Sequence, residues 1–446
     1  MMTNNIIHIS DAINSRLDPH QFNPERMLML KRIYASKKWR KLKDVVNNVK
    51  TITKTLSDKD IYIGLENITS NTGEYIPTNE KQSISSAAVF QQSNILFPKL
   101  RPYLNKVYLA EFAGKCSTEF HVFEAKCINP NFLTILLRSN IILAQTKHLM
   151  TGNTLPRLQT TDIENIVLPI ISNEEQEEIV NIYQRALNDK VKKYEEAKSL
   201  LENIDTFLLE TLDIVSNQQH EKKSIFSTSV SNLIGQRLDV SSYKEHFEML
   251  SNKYPNRKLS SLVEIDPAIK FVGFNDDTTI SFIPMECIDE KYGEISERRE
   301  ISISQIKGYT KFEEGDLLWA KITPCMQNGK SAIARNLKNG VGCGSTEYYV
   351  IRPKTEDLLI DYVYLILRHS EVLKAAQGSF GGSAGQQRVS SQYMKSIVIP
   401  FPSKGIQQSI VDIVKERKQR AKQLQTEGTE MLEKAKQEIE KLILGL

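Results

Sequence analysis

The residues of this chain that could do chemistry are scattered rather than clustered. Seven histidines (His8, His20, His121, His148, His220, His246 and His369) show neither an HExxH motif nor a paired spacing that would bring two imidazoles to one metal ion. Five cysteines, Cys116, Cys127, Cys287, Cys325 and Cys343, are odd in number and lack a CxxC pair. That pattern argues against a zinc site and a disulfide framework and suits a reducing cytosol. Gly378, Gly381, Gly382 and Gly385 make a loop without the GxGxxG spacing of a dinucleotide site. Asn129-Pro130-Asn131 lacks the second proline and the aromatic that an amino-methyltransferase would set over a flipped base. Glu124-Ala125-Lys126 has the bare E-x-K outline of a nuclease and would need a further acid upstream. The expectation is a chain with no catalytic residue, no metal site and no cofactor of its own.

Polar chemistry suited to reading DNA is present instead. Lys99, Arg101, Asn105 and Lys106 follow the apolar run Ile95-Leu96-Phe97, and a second set, Lys321, Thr323, Gln327, Asn328 and Lys330, follows an equivalent run. Arg and Lys reach guanine edges or phosphates, and Asn and Gln pair bidentately with adenine in the major groove. For any one of these residues a solvated loop is the competing reading. A second segment, Gly152-Asn153-Thr154-Leu155-Pro156-Arg157, matches Gly385-Gln386-Gln387-Arg388, with the arginine keeping its place. Arg157 and Arg388 would then hold phosphate or brace the loop, leaving discrimination to Arg101, Asn105, Thr323 and Gln327, with Gln386 and Gln387 as further candidate contacts.

These pairs belong to a duplication that runs through the chain, the second copy starting roughly 220 residues after the first. Arg16-Leu17-Asp18 returns as Arg237-Leu238-Asp239, and Arg40-Lys41-Leu42 as Arg257-Lys258-Leu259. Gly73-Glu74 returns as Gly293-Glu294, Lys99 to Pro102 as Lys321 to Pro324, and Ser117-Thr118-Glu119-Phe120 as Ser345-Thr346-Glu347-Tyr348. Ile166-Val167-Leu168-Pro169 returns as Ile397-Val398-Ile399-Pro400. Two related halves suit a ligand with two related halves, of which duplex DNA is the commonest extended example.

Within each copy, short β-rich runs over 61–125 and 279–352 alternate with Gly, Asn and Pro turns, and helical segments follow at 131–149 and 357–376. After Pro169 and Pro400 the pattern stays helical for about 40 residues, a rod of ~60 Å. Asn173 with Gln176 reads as the cap of the first rod, and Ser403 with Gln407 as a looser version. Apolar positions then recur mostly three and four apart, including Ile179, Leu187, Val191, Leu201, Ile204 and Leu208 in one rod and Ile410, Val414, Leu424, Met431 and Ile439 in the other. A lone helix with one such stripe is marginal in water, so the rods are expected to pack on each other as an antiparallel coiled coil, the alternative being that each lies on its own domain. The expected architecture is α+β: recognition domain one at 1–172, a helical spacer at 173–215, a polar linker and recognition domain two at 216–403, and a second spacer at 404–446.

Composition sets the wider frame. With 446 residues, 40% hydrophobic and 25% charged, the chain has the make-up of a soluble globular protein of two or more domains. Its net charge of +4 is the balance of 58 basic and 54 acidic residues, so any basic surface must be local. The N-terminal stretch lacks a basic region and a long apolar run, and nothing approaches the ~18 apolar residues of a bilayer span, so a cytoplasmic location is expected.

The duplicated motifs, each set closed by an aliphatic strand ending in proline and then by Gln176, Ile179 and Val180 or Gln407, Ile410 and Val411, resemble the specificity subunit of Type I restriction-modification systems. The resemblance covers essentially the whole chain. It implies two target-recognition domains, each reading half of a bipartite DNA site, separated by two helices in an antiparallel coiled coil. It further implies that chemistry lives in partners: two modification subunits that bring S-adenosylmethionine and methylate adenine, and restriction subunits that use ATP and Mg. Thr323 where the first copy has Arg101, and Gln386-Gln387 where it has Leu155-Pro156, imply half-sites of different sequence. The competing readings are an enzyme that cleaves or methylates DNA unaided, and a phage-defence interaction module without restriction partners.

Overall fold

The computed structural model describes residues 19–35, 38–55, 57, 60–78, 86–152, 154–214, 249–381 and 386–445. The Arg-Leu-Asp motifs, the 216–231 linker, Asn153 and Gly382 to Gly385 lie outside the described residues. The chain divides into two compact units, Met1–Lys193 with Gln425–Leu446, and Tyr194–Leu424.

The strands of unit one are β1 (Trp39–Lys41), β2 (Val46–Val49), β3 (Ile52–Thr53), β4 (Tyr62–Ile63), β5 (Ala87–Phe90), β6 (Ile95–Pro98), β7 (Tyr108–Leu109), β8 (Gly114–Cys116), β9 (Phe120–Ala125) and β10 (Val167–Pro169). They form a pair, β1 with β10, and two four-stranded sheets, β2-β9-β6-β7 and β3-β5-β8-β4. The apolar run of β6 is continuous because both of its faces are covered. Ile95 and Phe97 point into a core shared with the helix Pro130–Arg138, whereas Leu96 joins Phe120, Val122 and Phe90 on the opposite face. That is the period-two alternation of a strand, expressed between two cores rather than between core and water.

Unit two repeats the plan with β11 (Asn256–Lys258), β12 (Val263–Ile265), β13 (Thr279–Ile283), β14 (Ile288–Asp289), β15 (Glu294–Ile295), β16 (Arg299–Ser302), β17 (Thr310–Glu313), β18 (Leu317–Ala320), β19 (Ser331–Ile333), β20 (Val341–Gly344), β21 (Tyr348–Pro353) and β22 (Val398–Pro400). The sheet β12-β21-β18-β19 matches β2-β9-β6-β7. In β18, Leu317 and Trp319 face one core and Leu318 the other. The second sheets share a nucleus in which one strand runs parallel to the next, β4 to β8 and β13 to β20, with β5 or β17 antiparallel on the far side. Their fourth strands lie on opposite edges: β3 extends the β5 side, and β16 extends the β13 side. The repeat is therefore one core dressed differently.

The duplicated motifs find each other across each unit. Arg40 sits opposite Leu168 in the β1–β10 pair, and Arg257 opposite Ile399 in β11–β22. Asn129 caps the helix it precedes by accepting from the backbone N–H groups of Asn131 and Phe132, with Pro130 at the first helical position.

Two long helices, Asn173–Thr211 and Lys404–Leu444, close the repeats. The first is capped one residue earlier than the spacing suggested. Ser172 Oγ accepts from Glu175 N at 3.2 Å and Glu175 Oε2 accepts from Ser172 N at 2.7 Å, a capping box. Gln176 is thereby released for the core, where it is 3% exposed, with its Oε1 taking the Asn129 N–H at 3.0 Å and its Nε2 donating to Ile171 O. Gln407 does the same in unit two, accepting from Leu359 N at 2.9 Å and donating to the Asp357 and Pro402 carbonyls.

The helices pair antiparallel in each unit, rising numbers on one meeting falling numbers on the other. In unit one Tyr183 lies near Lys436 and Ile439, a Cβ on Gly428 would stand 3.3 Å from the Lys190 backbone, and Lys193 Nζ meets Glu427 at 2.6 Å. In unit two Ala197 packs with Ala421 and Leu424, and Arg417 donates to Asn203 O and covers the Phe207 ring. The same helix segments also join their unit's hydrophobic core: Ile179, Tyr183, Leu432 and Ile439 in one, Leu208, Ile410 and Val414 in the other. Coiled coil and domain packing thus coexist. Leu187, Leu201 and Ile204 are half-buried. Val191 and Met431 are corrections to the stripe: they are 43% and 37% exposed, and Leu432, at 2%, takes the buried place beside Met431. A helix packed against two neighbours buries a stripe wider than a single seam, and Tyr183 and Ala186 fill it alongside the half-buried Leu187.

Candidate DNA interface

In each unit three duplicated motifs converge. The Lys-x-x-Pro segment runs between the Ser-Thr-Glu turn and the arginine-bearing strand. Lys99 N donates to Glu119 O and Leu158 N to Lys99 O; Lys321 N donates to Glu347 O and Val389 N to Lys321 O. The serine of each Ser-Thr-Glu accepts from the glutamate's own N–H, at 3.2 Å in both copies, which sets the carboxylate's direction. That carboxylate meets the repeated arginine in a bidentate pair. Arg157 Nε and Nη2 lie 3.0 and 2.9 Å from the Glu119 oxygens, and Arg388 Nε and Nη2 lie 2.8 and 2.7 Å from those of Glu347. Each pairing holds Glu119 and Glu347 below the usual carboxylate range. The motif Ser-Thr-Glu is thus half of a brace whose other half lies some 40 residues on.

Several residues expected to read DNA are engaged within the protein. Lys99 Nζ donates to Thr118 O at 2.7 Å, burial depressing its pKa, and Lys106 Nζ donates to Leu65 O at 2.8 Å. Lys321 and Lys330 aim at the Tyr348 and Met285 carbonyls, and Lys321 also lies over the Tyr349 ring. Asn105 is 6% exposed and sits in the left-handed region at φ 52°, with its amide donating to Arg138 O at 2.7 Å. This residue holds a turn, because the turn's own backbone geometry points its amide inward. Thr323 is half-buried, its hydroxyl accepting from Gln387 N.

Exposed groups remain beside each brace. Arg101 is exposed at φ 48°, next to the exposed Tyr103 and Leu155. In unit two the exposed residues are Gln327, Asn328 and Gln386; Gln387 is half-buried. Gln327 lies 3.4 Å from Gln377 Oε1, and Asn328 Nδ2 is 3.1 Å from Glu290. Sequence reasoning missed Tyr103, whose apolar bulk reads as core until its 45% exposure is known, and it named Leu155 only as one of the positions at which the copies differ.

A positioning arginine also escaped notice. Arg138 Nε donates to Val107 O in unit one, and Arg368 donates to the Gly329 and Glu290 carbonyls in unit two, tying the turn to the helix behind it. Here the Gly-Glu motif has its reason: a Cβ on Gly73 would lie 2.3 Å from the Arg138 guanidinium, and one on Gly293 2.3 Å from that of Arg368, both glycines having φ +66°. The spacing of Arg138 and Arg368 in their repeats could have revealed them.

Among the described residues no His, Cys, Asp or Glu group could hold a metal ion, and no helix is long and apolar enough to cross a membrane. Glu124 of the E-x-K triplet accepts from Asn47 at 3.0 Å across β2 and β9.

Comparison with known proteins places this arrangement. The chain is 34% identical over 189 residues to the Type I restriction enzyme EcoEI specificity subunit of Escherichia coli, covering 42% of this chain and 32% of that one. It is 36% identical over 178 residues to the EcoAI specificity subunit of the same organism, covering 39% and 29%. The match therefore spans about a third of the length of these relatives. A solved structure described as the structural basis underlying complex assembly and conformational transition of the type I R-M system shares the fold, with a TM-score of 0.55 at 17% identity over 91% of this chain and 96% of that one. The model of the Type I restriction modification DNA specificity domain matches residues 36–203 and again 252–439, once per repeat, and the chain belongs to that family.

Proposed function

We propose that this chain is the DNA-recognition subunit of a Type I restriction-modification complex, with each unit's recognition domain reading one half of a bipartite, asymmetric site. The observation that carries this reading is one scaffold built twice with different exposed groups at the same place: Arg101, Tyr103 and Leu155 beside one brace, Gln327, Asn328 and Gln386 beside the other. A shared scaffold gives both domains the same approach to a duplex, and differing side chains give each its own base preference. The braced lysines and arginines fix the loops, so their role is positioning rather than discrimination.

In this reading the chain performs no bond-making step. Two modification subunits supply S-adenosylmethionine and methylate adenine-N6, restriction subunits supply ATP- and Mg-dependent work, and the complex acts in the cytoplasm. The test is methyl transfer to a randomised DNA library by the purified chain alone, by a modification subunit alone and by both together. Methylation only with both, at a two-part motif with a fixed spacer, is the expected result. Methylation by the chain alone, or at one continuous symmetric motif, would overturn the proposal.

A further inference from the structure

Unit two contains a cavity of about 410 Å³ between β15, β19, the helix Ile360–Leu367 and the second long helix. Its lining has two characters. Ile295, Ile333, Leu365 and Val411 make an apolar wall. Around it stand five cations, Arg298, Arg335, Lys415, Lys418 and Lys422, and two carboxylates, Glu294 and Asp361. Both carboxylates are already engaged, Asp361 with Arg335 at 2.5 Å and Glu294 with Lys422, so the lining carries an excess of positive charge.

The innermost of these cations is Lys418. Its Nζ donates to Tyr292 O and Tyr364 Oη, both at 2.8 Å, and lies 4.7 Å from the centre of the Tyr364 ring. The Arg368 guanidinium also covers that ring, at 5.5 Å, and Lys422 Nζ covers the Tyr292 ring at 4.8 Å. Burial first, and then the neighbouring Arg368 and Lys422 charges, push the Lys418 pKa down to about 7. An excess of positive charge lining one concave site is relieved by an anion, and oxygens placed among these cations would meet charge-assisted donors. A lining that combines apolar side chains with an excess of positive charge, in a space within the ~300–1,000 Å³ range of small-molecule sites, fits an amphiphilic anion better than a bare one.

We infer that this cavity is a binding site for a phosphorylated organic anion of nucleotide size, its phosphates held by Lys415, Lys418 and Arg298 and its apolar part laid on Ile295, Ile333 and Val411. The site is independent of the DNA-recognition reading, since its lining shares no residue with the groups assigned to bases. Calorimetric titration of the full chain with ADP, inorganic pyrophosphate and adenosine tests it. Arg298 and Lys415 are exposed, so the Arg298→Ala/Lys415→Ala variant leaves the core intact and thermal unfolding confirms its folding. The expected result is saturable binding of one ADP per chain, with affinity reduced about tenfold or more in the variant and weaker binding of pyrophosphate and of adenosine. No ADP binding to the parent chain, undiminished binding to the folded variant, or pyrophosphate binding as tightly as ADP would each overturn the assignment.

Discussion

Gln407→Ala tests how the second long helix is fastened to its recognition domain. The Gln407 side chain is fully buried, at 0% exposure, and makes three hydrogen bonds: from Leu359 N at 2.9 Å, to Asp357 O at 3.0 Å and to Pro402 O at 2.9 Å. Alanine strands one backbone donor and two acceptors and leaves a gap the size of the amide. A buried group left without a partner costs roughly 1–3 kcal/mol, and water entering the gap recovers part of that, so a net loss of about 3–5 kcal/mol is expected. For a unit of this size ~1 kcal/mol shifts the midpoint by roughly 2–4 °C, which puts the unit-two transition about 10 °C lower. Scanning calorimetry on the full chain reads this, with Gln176→Ala as the matched perturbation of unit one, where Asn129 N and Ile171 O lose their partner. Gln407→Glu should be worse than alanine at neutral pH, because a carboxylate cannot donate to two carbonyls, and should improve as acid protonates it. A Gln407→Ala transition within about 1 °C of the parent would refute the reasoning, since a fastening worth less than ~1 kcal/mol is no fastening.

Four further outcomes follow from the same contacts. The Arg388→Ala/Glu347→Ala double-mutant cycle should give a small favourable coupling in unfolding, as expected of a solvent-screened bidentate pair, with the salt slope of DNA binding unchanged; a slope reduced by about one would instead assign Arg388 to a phosphate. Gly293→Ala should destabilise unit two by several kcal/mol, since its Cβ would meet Tyr364 Oη at 2.2 Å and its φ is +66°, and a thermal midpoint like that of the parent would contradict this packing. Ile410→Asp with Val414→Asp places charge where both residues are 1% exposed, and should cost several kcal/mol in denaturant unfolding. Burial and the Lys99 charge depress the His121 pKa to about 4, so between that value and the unfolded value of ~6.5 the unfolded chain binds the extra proton and stability falls with pH, by about 3 kcal/mol at most; a His121→Gln variant should lose this dependence in chemical denaturation measured from pH 7 to pH 4.

Repetition carried most of what the amino-acid sequence alone determined. Matched motifs at a constant offset define two equivalent halves whatever their fold, and the uninterrupted three-and-four spacing after Pro169 and Pro400 defines two long helices because no other backbone has that period. Partnerships across the chain were decided only in the tertiary structure. Glu119 and Arg157 are 38 residues apart, and nothing local says that Ser-Thr-Glu exists to aim a carboxylate at an arginine. Asn105 and Lys106 have the chemistry of base readers, yet Asn105 is turned inward by a left-handed backbone and Lys106 is spent on a carbonyl. Val191 and Met431 fit the helical period but not the stripe, because the helix packs on two neighbours and the direction of burial is set by both. Periodicity fixes which residues share a face; what covers that face depends on residues far away in the chain, and their arrival is a property of the whole fold.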